Sequence, residues 1–227
     1  QSFARKKRYD LLFSKCNELR INNLVLGHHM DDLFENFFLR MIRGSGLKGL
    51  VSLGEKTQVK NINLLRPLIQ FDKKDLLFIS KFVFNFYVDD PSNYEIKFNR
   101  IKIRNFIGQL KSIGLDKKKF QLTIENLKHS DKTIRFYVEK NKKINSLMNQ
   151  RKNKLILKED FFDNSYEVVF RSLSDLILVM GNKQNPVRGK KIDNIIDKIE
   201  NKRLFKETLG GCVIKMVNHT IILTKEH

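Results

Sequence analysis

The sequence predicts an α/β fold, and three observations carry that prediction. Helical and strand-like patterns alternate through the first half, which is the signature of layered α/β architecture. A polar, mostly helical stretch follows from about Lys117 to Gln150. From about Leu155 onward, helical and β-rich runs mix again in a smaller module. A chain of 227 residues has room for one large domain or two modest ones and can bury a real core.

Taken in order, Ala4, Leu11, Leu12, Cys16 and Leu19 form a helical stripe with a basic outer face. The run Leu24-Val25-Leu26 then stops at Gly27 and reads as a buried, parallel strand. From Met30 to Ile42, the residues Leu33, Phe34, Phe37, Phe38 and Met41 form a wide stripe at helical spacing, and the phenylalanines among them are assigned to the core. In "NLLRPLIQF" a strand meets Pro67, so it lies at an edge or ends there. Asp72 fits a helix N-cap, with Asp75 in the first turn and Leu76, Leu77, Ile79, Phe82 and Val83 behind it. "VDDPSN" is a turn, and "NRIKIRNFIGQL" resumes a helix that runs to Gly114. "SLSDLILVMG" is a helix capped at Gly181, and "IDNIIDKIENKRL" is an amphipathic helix. Two β-rich runs around Asn218-His219 form a hairpin.

The bulk properties narrow the function classes. A formal charge of +19 points first to a nucleic-acid partner. No apolar run approaches the roughly 20 residues that span a bilayer, and the start "QSFARKKRYD" is not a signal peptide. The two cysteines, Cys16 and Cys212, lie far apart and form no CxxC. That excludes a disulfide framework or a zinc knuckle and fits a reducing cytoplasm.

The stretch "LVLGHHMDDLFENFFLRMIRGSGLKGL" concentrates the chemistry. Gly44, Gly46 and Gly49 spell GxGxxG, but a helix precedes them where a dinucleotide site needs a strand. They are a loop, with Arg40 and Arg43 beside it. The junction at Gly27 is a different matter, because open parallel sheets bind ligands beyond the carboxyl ends of their strands. His28 and His29 sit there. Asp32 and Glu35, three residues apart, project from one face of the following helix, with His28 a turn back on the same side. Asp31 is rotated away and is assigned to capping. Spacing alone leaves three readings of the acidic pair: macrodipole capping, a Mg²⁺ site, or a pocket for a cationic substrate group. The HExxH zinc pattern does not fit.

These residues also carry a resemblance. "ARKKRY", the GHHxDDxxEN block with RGSGLKGL, "LRPLIQFDKKDL", "VDDPSNYEIKFNRIKIRNFI" and the terminal "ETLGGCVIK" occur here in order. Together they resemble the tRNA(Ile)-lysidine synthetases of the PP-loop ATP-pyrophosphatase superfamily. Asn36 stands where that family has threonine. The family's opening strand and SGGxDS phosphate loop are not found in these residues, so the chain reads as the family without its N-terminal portion.

The resemblance implies an adenine nucleotide alpha hydrolase-like, truncated open parallel-sheet domain over 1–114. It also implies a basic helical linking region over 115–152 and a tRNA-binding α/β domain over 153–227. The implied reaction uses ATP and Mg²⁺, tRNA(Ile) with a CAU anticodon and free L-lysine, in the cytoplasm. The wobble cytidine C2 oxygen attacks the α-phosphate of ATP and releases pyrophosphate; the lysine ε-amino group then displaces AMP. Asp32 and Glu35 would hold the ammonium and accept its proton, Arg100 would face the phosphate charge, and Gly27 and His28 would lie at the nucleotide. Arg43, Arg104, Lys142, Lys143, Arg151 and Lys152 would contact RNA, with Arg104 alternatively stabilising the loop.

The 227 residues alone are expected to bind tRNA without forming lysidine. The competing readings are a non-catalytic RNA-binding remnant and another PP-loop enzyme such as a tRNA cytidine thiolase; the missing CxxC counts against the latter. The apolar stripes single out no interface, and the oligomeric state stays open between monomer and homodimer.

Overall fold

The computed structural model describes residues 2–59, 61–88, 99–149, 151, 153–183, 185–203, 206–218 and 220–226. The expected turn "VDDPSN" lies outside them from Asp89 onward, as do Lys152 and, in the final hairpin, His219. The chain divides into two compact units, Gln1–Lys128 and His129–His227.

The first unit opens with α1 (Ser2–Glu18), β1 (Asn23–Val25), α2 (Met30–Ile42) and the short α3 (Leu47–Leu50). A hairpin of β2 (Lys56–Val59) and β3 (Ile62–Leu65) follows, then α4 (Lys73–Phe82), α5 (Asn99–Ser112) and the start of α6 (Lys117–Asn145). The sheet order is β1-β3-β2. Asn23, Leu24 and Val25 pair in parallel with Asn63, Leu64 and Leu65, while β2 pairs with β3 antiparallel. The parallel strand expected at Leu24 is therefore present, and Pro67 follows the end of a central strand.

Two expectations about burial need correction. β1 was expected to be buried, yet it is an edge strand of the described sheet and its Val25 is 63% exposed. On α1 the core contacts come from Tyr9, Phe13 and Cys16, which pack with Ile62 and Leu64. Leu11 and Leu19 face outward, because only one narrow stripe of a helix reaches so small a sheet.

The phenylalanines of α2 are core, as their spacing predicts. Phe34, Phe37 and Phe38 surround Phe120 of α6, with ring centroids 4.7, 5.1 and 5.4 Å away. Ile103 and Ile107 of α5 and Ile124 of α6 complete the cluster, while Met41 is exposed. Asp72 caps α4 by accepting from the Lys74 N–H at 3.2 Å.

The second unit is a five-stranded antiparallel sheet, order β4-β5-β8-β7-β6, with helices α7 (Tyr166–Met180) and α8 (Gly189–Glu200). Its strands are β4 (Ser146–Met148), β5 (Lys154–Leu157), β6 (Lys206–Leu209), β7 (Cys212–Val217) and β8 (Thr220–Lys225). The last two form the predicted hairpin, Val217 opposite Thr220. Leu155, Leu157, Leu173, Ile177, Ile192, Ile214 and Leu223 are fully buried in one core. Beside it Arg171 reaches Asp131 at 2.5 Å, both almost wholly buried, and Arg135 holds the other carboxylate oxygen at 2.7 Å.

The glycines of "ETLGGCVIK" have a geometric reason. Gly210 and Gly211 have φ of +62° and +81°, the left-handed pair that a two-residue hairpin between β6 and β7 requires. The Gly210 carbonyl packs so closely on Gly181 that a Cβ there would lie 1.9 Å from it. Gly181 thus ends α7 as expected, but with φ of −77°, so close approach rather than a left-handed cap selects it.

Candidate active site

The site is built where β1 and β3, side by side, reach their carboxyl ends. After β1 the chain passes Gly27 and His28 and enters α2 at its N-cap, His29, whose backbone is extended. The position of Gly27 is open, with nothing within 4 Å of an added Cβ. The first turn of α2 is tied to the segment after β3 by the Met30 N–H, which donates to the Phe71 carbonyl at 3.0 Å.

Beside this junction lies a pocket of about 560 Å³, lined by Val25, Glu55, Lys56, Leu65, Arg66, Pro67, Gln70 and Phe71. Arg66 is buried and fixed, donating to the Gly54 carbonyl and to Thr57 Oγ1, each at 2.9 Å. Gln70 Nε2, also on the lining, donates to Glu55 Oε1. Apolar walls with a few anchored polar groups suit a flat organic ring that carries hydrogen-bonding edges. Sequence reasoning passed over Arg66, Glu55 and Gln70. The available signal was "RP" directly after a strand, which sets a cation at a carboxyl end.

The acidic residues separate once side chains are placed. Asp32, not Asp31, does the capping: its carboxylate accepts from the His29 N–H at 3.0 Å. With His29 as N-cap, Asp32 stands third in the helix, where a side chain reaches back to that N–H. His29 Nε2 lies 3.5 Å from the same carboxylate. Glu35 is 3% exposed and receives Arg104 Nε of α5 at 2.5 Å, so Arg104 joins α5 to α2. Arg100 lies in the first turn of α5, with its side chain outside the described residues.

Asp31 instead meets Lys117, whose ammonium sits 2.9 Å away and also bonds Asp72. Burial pushes the Asp72 carboxyl up, but the bond from Lys117, the Lys74 N–H and the Lys117 charge outweigh it and hold it below its ordinary value. Burial likewise lowers Lys117, and the two carboxylates reverse that and raise it. One ammonium therefore fastens α2, α4 and α6 together. Among the described residues no group of three or more His, Cys, Asp or Glu side chains converges, so they do not by themselves form a Mg²⁺ cage. Such a donor set fits only an ion whose other oxygens come from a nucleotide.

Of the remaining RNA candidates, Arg43 is exposed at the end of α2. Lys142 is half-buried, 2.6 Å from Glu139 and 3.5 Å from Asp175, whereas Lys143 and Arg151 are exposed. No helix among the described residues is long and apolar enough to cross a membrane.

Residues 1–111 match the model of the PP-loop domain family. Over its whole length the chain is similar to proteins named tRNA(Ile)-lysidine synthase. The one from Wolbachia sp. subsp. Brugia malayi is 30% identical over 229 residues, covering 100% of this chain and 53% of that protein. The one from Orientia tsutsugamushi is 32% identical over 238 residues, covering 100% and 53%. The one from Rickettsia bellii is 30% identical over 231 residues, covering 100% and 52%. The chain thus spans about half the length of the curated relatives it matches.

Proposed function

We propose that the chain serves the ATP-dependent modification of an isoleucine tRNA, joining lysine to C2 of the wobble cytidine of the CAU anticodon. The observation that carries this reading is similarity to tRNA(Ile)-lysidine synthases over the whole of this chain and about half of theirs, joined to a pocket at the carboxyl ends of a parallel strand pair. In this reading 1–114 is the PP-loop part, 115–152 the basic link and 153–227 the tRNA-binding module. The nucleotide would lie at Gly27 and His28, and a Mg²⁺ bound with it would supply neutralisation of phosphate charge. The partners are the tRNA and free L-lysine, met in the cytoplasm.

The chain's own groups then divide the work. Asp32, about one-fifth exposed at its side chain, turns its free edge toward the incoming ammonium and takes its proton. Glu35 contributes a second negative charge, held in place by Arg104. Arg100 faces the phosphates. Arg43, Lys142, Lys143, Arg151 and Lys152 meet RNA through phosphate contacts, which position without reading sequence.

Lysine incorporation into tRNA(Ile) tests the reading. The 227-residue chain alone binds the tRNA with steep salt dependence, and turnover requires a phosphate-binding loop supplied with it. Strong ATP–pyrophosphate exchange by the chain alone overturns that division, and failure to bind the tRNA at low salt overturns the whole reading. In an assembly that turns over, Asp32→Asn keeps an acceptor for the His29 N–H but removes the charge. Lost incorporation at unchanged melting temperature supports chemistry at Asp32. Full activity leaves Asp32 as a helix cap alone, as in the second reading, a non-catalytic RNA-binding chain, which the cap at Asp32 and the pair at Glu35 favour.

A further inference from the structure

We infer that Phe136, on the outer side of α6, is a stacking platform for an unpaired RNA base, with Lys132, Lys140 and Lys143 around it to take the flanking phosphates. The part of α6 in the second unit buries Asp131, Val138 and Asn141. At about 3.6 residues per turn, position 136 lies directly opposite those three. A phenylalanine there is as far from the core as a helix permits, and the residue is 65% exposed. Folding alone gives no reason for it.

Its neighbours supply one. Lys132 and Lys140 stand one turn to either side, and Lys143 two turns along, all exposed on the same face. Among the described residues none of the three has a carboxylate partner. The acids of this stretch are taken elsewhere: Asp131 is buried against Arg171 and Arg135, and Glu139 pairs with Lys142. Tyr137 packs its ring edge against Phe136, centroids 5.4 Å apart and planes at 82°, which steadies the phenyl and leaves its outer surface bare. An aromatic ring inside a circle of uncompensated lysines suits a single-stranded nucleic acid, whose bases stack while its phosphates pair. A protein partner fits less well, since lysine is depleted at the centres of protein interfaces. The net charge of +19 has the same sign.

The inference deepens the proposed function by naming contacts for its RNA, and it rests on the chain binding RNA at all. The sequence contains no tryptophan, so Phe136→Trp installs a single reporter. The probe is a single-stranded oligouridine, compared with an RNA duplex of equal length. Quenching of the tryptophan by the single strand and much less by the duplex is the expected result. Phe136→Ala weakens single-strand binding about 5- to 150-fold, with its salt slope and melting temperature unchanged. Replacing Lys132, Lys140 and Lys143 by Gln lowers the salt slope by about 2.

Three outcomes overturn the inference: RNA binding that is indifferent to Phe136→Ala, quenching equal on duplex and single strand, or a blue shift on anionic phosphatidylglycerol vesicles in place of quenching by RNA. No binding of either RNA or tRNA overturns it together with the proposed function, whereas tRNA binding that ignores position 136 overturns the inference alone.

Discussion

The second unit closes one continuous core beneath its antiparallel sheet, whereas the first divides its apolar residues between two clusters and leaves others bare. In the first, α4 has no buried residue, and Phe78, Phe82, Phe84 and Phe86 are exposed, as is Val25 on the sheet edge. The contrast goes with strand direction, since the second sheet is wholly antiparallel and the first contains a parallel pair. Antiparallel hairpins can stand with one face covered, while parallel strands need cover on both. Stability should therefore concentrate in the second unit, and the pocket belongs to the weaker one.

The largest effects are expected where the second unit is tightest. Arg171→Met removes the partner of a buried carboxylate and should cost about 3–4 kcal/mol in urea unfolding, moderated because Arg135 keeps one oxygen. Gly181→Ala should cost about 2–3 kcal/mol, since a Cβ would force the Gly210 carbonyl away. In the first unit, Glu35→Gln loses the charge that holds Arg104 and should cost about 1–2 kcal/mol, read in the same experiment.

A smaller effect, with a pH signature, is expected of Lys117→Met, at about 1 kcal/mol near neutrality. Asp72 is depressed, so its contribution is full above the ordinary carboxylate range and is lost as pH falls through its folded value. Lys117 is raised, so its contribution is full below the ordinary lysine value and is lost as pH climbs through its folded value. The gap between wild type and variant should stay flat at neutral pH and close at both ends. A gap that widens in acid would break the clamp as described.

The smallest perturbation needs no substitution. Each unit holds one buried cysteine, Cys16 in the first and Cys212 in the second. Burial pushes the Cys212 thiol up to about 11, which makes it inert in the native state. Alkylation in rising urea should modify Cys16 first. The reverse order would show that the contrast in burial does not govern stability.

What the sequence disclosed followed periodicity. The helices from Met30, Asp72 and Asn99, the strand before Gly27 and the hairpin around Asn218 all carry a repeating pattern or a turn residue. β2, β4, β5 and β6 are only three or four residues long, too short for a period to emerge. The site divided the same way. That carboxylates crowd a helix start was legible, but which of them caps depends on His29 being the N-cap, one residue's difference. The partner of Asp31, Lys117 on a distant helix, has no local signal at all. Nor does Arg66, whose burial follows from a hairpin that was not foreseen.

The pocket has a consequence for the order of folding. Apart from Val25, its lining comes from Glu55 to Phe71, which is the β2–β3 hairpin and the turn that follows it. Walls so close together in the chain require only short loops to close, and short loops close early and at little entropic cost. The cavity can therefore take shape before α5 and α6 settle onto α2. Ligand affinity at the pocket and cooperativity of the whole unit are then separable properties, and a substitution in the Phe120 cluster can damage one while sparing the other.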